Sequence, residues 1–437
     1  MSMKFTDFNI NTPLLNAIDD LGLAEATPIQ INAFSPIMAG RDVVGIAHTG
    51  TGKTFAYLLP ILRQHQYSEK KHPKVLIIVP TRELVNQVVR EIEKLTKYIT
   101  IRVAGVYGGE TMSTQMDRIS EGLDVLVATP VRAKDLAHAR AFKLKEIKKL
   151  VIDEVDEMFN LGFRPQLFDL LDNLPDKRQN IMFSATLNSE IEEMISHYFY
   201  VPDIIEVAEH GETVEKVEQF GFYVPNFYTK LNLLDRLLTD DEEMQRVLVF
   251  VQNKWTANAV IEHMELKYGA SIRVIHSNKS QNYRAESIDG FQTGKYRILV
   301  ATDVIARGID FIDVSHVVNL GIPEPESYIH RIGRTGRAGK EGIAISIASE
   351  YERREIEVIE EVIKRKIQFF DMPDDIEIAT KLSSDEINIE EEKQRGGAKA
   401  PSLKHGQGAF HEKKLKNQKE NWEGLSKEAY KRKYNKR

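Results

Sequence analysis

Short apolar runs alternate with amphipathic stretches through residues 40–365 of this 437-residue chain. The apolar runs are about five to seven residues long and rich in valine, isoleucine and leucine, and the stretches between them have the length of helices. Strands buried on both faces have this continuous apolar character, because helices cover both sides of a parallel sheet. The alternation therefore predicts an α/β fold built on parallel sheets.

Two of these runs have counterparts much later in the chain. The segment "KVLIIVPTRELVNQ" from Lys74 resembles "RVLVFVQNKWTANA" from Arg246, and "DVLVATP" from Asp124 resembles "RILVATD" from Arg297. The two earlier runs start 50 residues apart, at Lys74 and Asp124, and the two later runs start 51 residues apart, at Arg246 and Arg297. Buried parallel strands resemble one another in any protein, but matched order and matched spacing favour a duplicated α/β lobe. We therefore expect two parallel-sheet lobes in tandem.

A polar stretch near residues 205–218 separates the two expected lobes. The expected bounds are 34–207 for the first lobe, 217–372 for the second and 373–437 for a tail, acidic at first and then basic. Lys393–Arg437 holds 14 Lys and Arg against 4 Glu, a balance of +10 in a chain of net charge −6. Low apolar content predicts that the tail beyond about Glu390 is largely disordered. Such a tail either is an inert solvated end or binds a polyanion without specificity.

The chain has no cysteine, which excludes disulfides, thiolate metal sites and cysteine nucleophiles. No apolar run approaches the ~20 residues that a membrane-spanning helix requires. The beginning of the chain, "MSMKFTDFNINT", lacks the apolar core of a secretory signal. We therefore expect a cytoplasmic protein without a membrane partner.

The segment "DVVGIAHTGTGKTFAYLLPIL", which starts at Asp42, has the order strand, glycine-containing loop, helix. Gly50 and Gly52 allow backbone N–H groups to turn inward around phosphate oxygens, and the following helix directs its amino terminus at the same charge. In a P-loop of this kind Lys53 reaches the β- and γ-phosphates and the Thr54 hydroxyl binds Mg²⁺. The predicted nucleotide-binding loop comprises Ala47, His48, Thr49, Gly50, Thr51, Gly52, Lys53 and Thr54, with alanine where the general pattern has its first glycine.

Three carboxylates follow an apolar run in "LVIDEVDEM", residues 150–158. Acidic residues after a strand most often form a solvated loop, but a P-loop upstream favours a metal site, because P-loop NTPases hold Mg²⁺ with a carboxylate after a second strand. Asp153 is then the carboxylate on the Mg²⁺ side, acting through water, and Glu154 is suited to orient and deprotonate the attacking water. Asp156 either caps the following helix or anchors a neighbouring segment.

The second lobe lacks a Gly-Lys-Thr loop and has instead "YIHRIGRTGRAG" at 328–339. Its arginines, Arg331, Arg334 and Arg337, recur at every third residue. They form either an exposed cationic helix face or a set of guanidinium groups that contact the γ-phosphate held by the first lobe. The second alternative couples hydrolysis to lobe closure, since arginines of one lobe reach a nucleotide on the other only when the lobes meet.

With these motifs in order, the chain resembles the DEAD-box ATP-dependent RNA helicases of superfamily 2 over residues 5–365. The family's Asp-Glu-Ala-Asp motif reads Asp153-Glu154-Val155-Asp156 here, and the larger valine predicts tight packing with every charged group kept. The resemblance implies two tandem RecA-like lobes, ATP and Mg²⁺ as cofactors, and Arg334 and Arg337 as arginine fingers. It also implies that Asp310 faces the ribose of the nucleotide.

Residues 1–33 resemble the family's Q-motif region, with "GLAEATPIQ" at 22–30. By resemblance, Gln30 reads the adenine edge through its amide, and Phe5 is the isolated aromatic upstream of it. Leu23 stands where an aromatic usually stacks on adenine, and Ala26 stands where proline is usual. We therefore expect weaker selectivity for adenine.

Further motifs resemble the segments that hold the RNA backbone and that link the RNA and nucleotide sites. They are "PTREL" (80–84), Gly108-Gly109, "TPVR" (129–132) and "SAT" (184–186) in the first lobe, and "VFVQN", "QNYR" (281–284), "ATDVIARGID" (301–310) and "HRIGRTGR" (330–337) in the second. Val131 replaces a customary glycine, which alters how closely a phosphate approaches. The implied RNA-binding residues are Arg82, Gly109, Thr129, Arg132, Arg284, Thr302 and Gly308. The implied coupling residues are Asp156, Ser184, Ala185, Thr186 and His330.

The implied function is that of an ATP-dependent RNA helicase that separates short duplexes locally, without processive tracking, or remodels ribonucleoprotein complexes. Few aromatics stand in the RNA-side motifs, so a monomer that binds single-stranded RNA or a short duplex with little sequence preference is expected. Three alternatives stay open: a DNA helicase or translocase of the same superfamily, an ATP-gated RNA clamp that stays bound, and a metabolic P-loop kinase. The kinase explains neither the duplicated lobe nor the arginine triplet.

Overall fold

The structure is a computed structural model that describes residues 3–47, 50–67, 69, 71–207, 217–303, 309, 311, 314–336, 342–384 and 386–387. Several sequence predictions concern residues outside this part of the chain. They are the ATP-site roles of His48, Thr49 and Asp310, the RNA contact of Gly308, the arginine finger Arg337, and the disorder of the tail from residue 388 onward.

A seven-stranded parallel sheet forms the first lobe. A short antiparallel pair precedes it, β1 (Met3–Lys4) and β2 (Glu25–Ala26). The strands of the sheet are β3 (Val43–Ile46), β4 (Val75–Ile78), β5 (Val103–Val106), β6 (Val125–Ala128), β7 (Lys149–Asp153), β8 (Gln179–Ser184) and β9 (Asp203–Glu206). They lie side by side in the order β5-β6-β4-β7-β8-β3-β9.

Helices cover both faces of this sheet, so its inner strands are buried on both sides, as the continuous apolar runs predicted. The helices are α1 (Thr12–Asp20), α2 (Pro28–Met38), α3 (Lys53–Arg63), α4 (Arg82–Leu95), α5 (Met112–Ser120), α6 (Pro130–His138), α7 (Val155–Asn160), α8 (Arg164–Asp172) and α9 (Ser189–Tyr198). Polar residues set where several of them begin. The side chains of Asn11, Thr81 and Asn188 each accept a hydrogen bond from a first-turn N–H group.

A second seven-stranded parallel sheet forms the second lobe. Its strands are β10 (Val217–Tyr223), β11 (Val247–Val251), β12 (Ile272–Ile275), β13 (Ile298–Thr302), β14 (His316–Leu320), β15 (Gly342–Ala348) and β16 (Gln368–Phe370). The helices described around it are α10 (Phe227–Leu238), α11 (Lys254–Tyr268), α12 (Gln281–Gln292), α13 (Pro325–Ile332) and α14 (Arg353–Ile363). The strand order, β12-β13-β11-β14-β15-β10-β16, repeats that of the first sheet place for place.

The identical strand order confirms the duplicated lobe and the two tandem RecA-like sheets. The run after Lys74 forms β4 and its counterpart after Arg246 forms β11, and both strands stand third in their sheets. The second matched pair of runs forms β6 and β13, and both of these strands stand second. The similarity of the runs therefore reflects equivalent positions in the two lobes.

The chain after β16 differs from the expected boundary, which assigned residues 373–437 to a tail. Residues 373–381 instead pack on the second lobe, where Ile376 is buried in the core. The Asn226 side chain donates to the Ala379 carbonyl (2.6 Å), and the Ala379 N–H donates to the Thr229 hydroxyl (3.0 Å). The acidic composition concealed this segment, which is held by one buried apolar side chain, by backbone groups and by an ion pair between Asp375 and Arg236 (2.9 Å).

The chain divides into two units, Met1–Lys381 and Leu382–Arg437, and both sheets lie in the first. Within the second unit, the Ser383 N–H donates to the Glu386 carboxylate (2.7 Å) and the Glu386 N–H donates to the Ser383 hydroxyl (3.4 Å). Among the residues described, no helix has the length and apolar character that crossing a membrane requires.

Candidate functional site

The predicted P-loop lies at the carboxyl end of β3, next to the end of β8. Ala47 is buried, and its N–H donates to the Ser184 carbonyl (2.9 Å). Gly50 and Gly52 both have a φ of 87°, a conformation that glycine adopts without strain. A Cβ on Gly52 would also lie 2.4 Å from Gln30 Nε2. The turn therefore requires both glycines, and α3 begins directly after it.

Two buried charged atoms at this loop have no hydrogen-bond partner within the described part of the chain. They are Lys53 Nζ, in the first residue of α3, and Asp153 Oδ1, at the end of β7. Both side chains are almost fully buried, with 6% and 4% exposed, so their charges need partners to offset desolvation. Thr51 and Thr54 are half-buried in the same loop and first helical turn. A phosphate group fits the lysine, and a hydrated Mg²⁺ fits the carboxylate.

Glu154 follows directly and has a left-handed backbone conformation (φ 56°, ψ 52°). Non-glycine residues rarely adopt it, and such strain concentrates at functional sites. Burial raises the pKa of the Glu154 carboxyl to about 7, against the lowering effect of Lys53 and Arg334, while Asp153 raises this pKa further. A carboxyl that titrates near neutrality suits proton transfer from water. Because Arg334 belongs to the second lobe, charges from both lobes act on Glu154.

Asp156 connects the carboxylate motif to the "SAT" segment. Its Oδ2 accepts a hydrogen bond from the backbone N–H of Ala185 (3.0 Å). Of the two alternatives left by the sequence, the structure therefore shows Asp156 as an anchor. Val155 is fully buried in the first-lobe core, as expected of tight packing. The buried Ser184 hydroxyl has no partner among the residues described, and Thr186 is half-buried.

The amide of Gln30 is engaged within the protein at both ends. Its Oε1 accepts from the Thr27 N–H (3.0 Å), and its Nε2 donates to the Gly52 carbonyl (3.2 Å). Gln30 thereby ties the first turn of α2 to the P-loop, a contact that the sequence analysis missed. Its contact with adenine stays a prediction.

The other residues of the Q-motif region differ in exposure. Phe5 is buried in the first-lobe core, with its ring 6.0 Å from that of Phe8, so its side chain is not presented at the surface for stacking. Leu23 is 41% exposed and is open to contact with a ligand. Ala26 pairs with Met3 between β2 and β1.

The predicted RNA-side residues of the first lobe make contacts within that lobe. Gly109 has a φ of 93°, and a Cβ there would lie 2.5 Å from the Arg82 guanidinium, so the two residues are packed closely. Arg132 donates to Gln115 Oε1 (3.0 Å) and to a backbone carbonyl. Thr129, buried, precedes α6, and the neighbouring Val131 is exposed.

In the second lobe, Arg284 makes an ion pair that crosses to the first lobe. Its Nη1 lies 2.8 Å from Glu83 Oε1, and both side chains are buried. The other terminal nitrogen of this guanidinium, Nη2, donates a hydrogen bond to Gln281 Oε1 (2.6 Å). Sequence analysis predicted RNA contact for Arg284 and overlooked Glu83, although Glu83 stands within "PTREL". Thr302 is buried at the end of β13.

The two arginines of the triplet that the structure describes, Arg331 and Arg334, do not form an exposed cationic face, so that alternative is wrong for them. Arg331 is fully buried and pairs with Asp303 (2.6 Å) inside its own lobe, because a guanidinium taken out of water needs a carboxylate. Arg334 is also buried, and it donates to the carbonyls of His330 (3.1 Å) and Ile309 (2.5 Å). The charge of Arg334 opposes the rise that burial causes in the pKa of Glu154 in the first lobe.

Comparison with known proteins agrees with this geometry. The chain matches the family models of the DEAD/DEAH box helicase over residues 27–194 and of the helicase conserved C-terminal domain over residues 229–339. It is 37% identical to the ATP-dependent RNA helicase CshA of Listeria monocytogenes over 85% of this chain and 71% of that protein. It is 37% identical to the ATP-dependent RNA helicase RhlB of Pseudomonas syringae over 83% of this chain and 94% of that protein. Among solved structures it resembles S. cerevisiae Dbp5 bound to RNA and ADP BeF3, with a TM-score of 0.76 and 26% identity over 85% of this chain and 96% of that one.

Proposed function

The chain belongs to the DEAD-box ATP-dependent RNA helicases, and from that premise we propose that closure of its lobes on ATP and RNA separates short duplexes locally or remodels ribonucleoprotein complexes. As a member of this family it is an ATP hydrolase and an RNA helicase. One observation carries the proposal. Lys53, Asp153 and Glu154 are buried in the first lobe, and the charge of Arg334 in the second lobe opposes the rise that burial causes in the pKa of Glu154.

In the proposed nucleotide site, each residue has the role that its chemistry suits. Lys53 binds the phosphates, and Thr54 and Asp153 hold Mg²⁺, which when bound neutralises phosphate charge. Glu154 orients the attacking water and accepts its proton. Gln30 and Leu23 belong to the adenine side, which Phe5 supports from within the core, and Asp310 lies at the ribose. The unpaired state of Lys53 Nζ and Asp153 Oδ1 supports the first of these assignments.

We further propose how hydrolysis is coupled to RNA. Arg334 and Arg337 stabilise charge on the transferred phosphoryl group once the lobes meet, which links chemistry to closure. Asp156, through Ala185, transmits the state of the nucleotide site to "SAT", and His330 serves the same coupling. The RNA groove comprises Arg82, Gly109, Thr129, Arg132, Arg284, Thr302 and Gly308.

The energy of closure limits the length of duplex that one cycle opens. Each base-pair step costs about 1.4 kcal/mol on average, taking DNA stacking as the guide. Four or five steps therefore need roughly 6–7 kcal/mol, which a closure interface can supply, whereas a long duplex exceeds it. We propose local, non-processive action by a cytoplasmic monomer with a first lobe at 34–207 and a second lobe that begins at 217 and includes the packed residues 373–381.

Two variants test the proposed site. Glu154→Gln should lower RNA-stimulated ATP turnover by about 10²- to 10⁴-fold, since it removes the base. Arg334→Ala should lower it by about 10³-fold or more, since it removes charge from the transition state. Turnover and separation of a short RNA duplex are measured together, with a DNA strand of the same sequence for comparison.

Arg353→Ala is the matched control, because Arg353 is an exposed second-lobe arginine paired with Glu350. It should leave turnover unchanged. Full activity of Glu154→Gln would show that this carboxylate is not the base. Full activity of Arg334→Ala would remove the coupling between lobes, and equal stimulation by DNA would favour a DNA helicase or translocase.

A further inference from the structure

Tyr57 places a hydroxyl in the interior of the first lobe beside the proposed magnesium carboxylate. It lies in α3, four residues after Lys53 and therefore on the same face of the helix. Its side chain is fully buried, and its ring packs 5.7 Å from that of Phe183. Phe183 of β8 pairs with Asp153 of β7, so the Tyr57 ring packs beside the strand position that carries this carboxylate. Tyr57 and Asp153 are therefore near neighbours.

The hydroxyl nevertheless makes no hydrogen bond of ordinary length and angle with the described residues, although Asp153 and Thr54 are close enough to influence it. A buried hydroxyl without a partner is unfavourable, and phenylalanine would fill the same space without that cost. Two neighbouring polar atoms, Lys53 Nζ and Asp153 Oδ1, are unpaired as well. Three unpaired polar atoms in one buried region indicate that a polar ligand satisfies them together.

We propose that Tyr57 is a positioning residue of the magnesium site, where its hydroxyl and Asp153 Oδ1 together hold one water of the ion's hydration shell. A metal-bound water has two hydrogens to donate, one for the carboxylate oxygen and one for the hydroxyl oxygen. The neutral hydroxyl orients this water without adding charge to the site. The inference rests on the proposed nucleotide site and adds to it a residue that the P-loop pattern does not contain.

The test compares the ADP affinity of wild type and Tyr57→Phe in the presence of Mg²⁺ and in the presence of EDTA, by calorimetric titration. Wild type should bind ADP more tightly with Mg²⁺. In Tyr57→Phe this tightening should be smaller by about three- to tenfold, the effect of one hydrogen bond, while the affinity in EDTA stays the same. If Mg²⁺ increases the ADP affinity of Tyr57→Phe as much as it does that of wild type, the inference is overturned.

Tyr198→Phe is the matched control, because the Tyr198 hydroxyl of the same lobe donates to Asp172 (2.6 Å). In this variant Mg²⁺ should increase the ADP affinity as much as it does in wild type. Without nucleotide, Tyr57→Phe should unfold at the same temperature as wild type or about 2 °C higher, because it removes an unsatisfied group, whereas Tyr198→Phe should unfold at a lower temperature. A clear drop for Tyr57→Phe would mean that the hydroxyl is bonded within the protein, which overturns the inference. If wild type itself gains nothing from Mg²⁺, the magnesium site of the proposed function fails first.

Discussion

At the scale of single residues, Lys149 is a cation that no carboxylate of the described chain contacts. It opens β7, and its ammonium donates to Gln64 Oε1 and to Gln179 Oε1, both at 2.6 Å. The amide nitrogens of these glutamines donate in turn to carbonyls at the end of α2, those of Met38 (2.6 Å) and Ile37 (3.0 Å). Lys149 therefore orders the side chains that satisfy this helix terminus. Burial lowers its pKa to about 8.

Replacing Lys149 with methionine should remove a pH dependence of stability. The pKa in the folded chain, about 8, is below the ordinary value of 10.5. Between these values the unfolded chain binds more protons, so the free energy of unfolding of wild type rises with pH across this window. Relative to Lys149→Met, wild type should gain at most about 3 kcal/mol over the window, and less to the extent that water screens this partly buried group.

Urea unfolding at several pH values between about 7.5 and 10.5 measures this difference. Lys148→Met, a change at the exposed neighbouring residue, is the control and should show no comparable trend. A constant difference between wild type and Lys149→Met would mean that Lys149 titrates normally in the folded state.

At the scale of elements, the contact between α2 and the P-loop gives Gln30 a second role. Because its amide holds the Gly52 carbonyl, the glutamine acts on the proposed phosphate-binding loop as well as on any base. Gly52 stands directly before α3, so the same contact fixes where that helix begins. The helices α2 and α3, which β3 separates in the chain, are thus joined at the proposed nucleotide site.

Gln30→Ala should therefore weaken binding of inorganic pyrophosphate as well as ADP, each by about three- to tenfold. Gln30→Glu keeps an oxygen that accepts from Thr27 but lacks the donor for Gly52, and it should match the alanine variant with pyrophosphate. Calorimetric titration of both ligands separates the effect on the P-loop from a contact with adenine. Normal pyrophosphate affinity with weakened ADP affinity would assign Gln30 to adenine alone.

At the scale of the whole molecule, the buried Arg284–Glu83 pair joins two lobes that each have their own core. Loss of one partner from a buried ion pair costs about 3–5 kcal/mol, because the other charge is left without compensation. Here that cost falls on the contact between lobes, because the pair spans them. The pair thus favours the arrangement in which Arg334 acts on Glu154.

Charge reversal at either residue, Glu83→Arg or Arg284→Glu, should favour separated lobes, and the double reversal should restore much of the contact. The chain has no cysteine, so dyes can be attached specifically to introduced Glu93→Cys and Leu266→Cys, one on each lobe. Energy transfer between the dyes, measured with an ATP analogue and RNA, reports closure.

Lys295→Glu is the control, because it breaks an exposed ion pair with Glu286. Glu286 lies in α12, the helix that also carries Arg284. This control should leave energy transfer unchanged. If the double reversal behaves no better than the single changes, Arg284 acts on RNA rather than on Glu83.

Most of the architecture and much of the site were accessible from local pattern. Buried parallel strands appear as apolar runs, so the repeat of β4 and β6 in β11 and β13 predicted two equivalent sheets. Gly50 and Gly52 were predictable because glycine suits their backbone angles, and the position of Asp153 at a strand end because an apolar run precedes it. Each of these features is contained in a few consecutive residues.

The remaining features depend on side chains that are distant in the chain. Arg284 reaches Glu83, Gln30 reaches Gly52, and the segment after β16 folds back onto α10. Arg331 is indistinguishable from Arg334 by spacing, yet packing directs one to Asp303 and leaves the other near Glu154. Short patterns encode backbone conformation and burial, whereas the partner of a buried charge is set by how the elements pack.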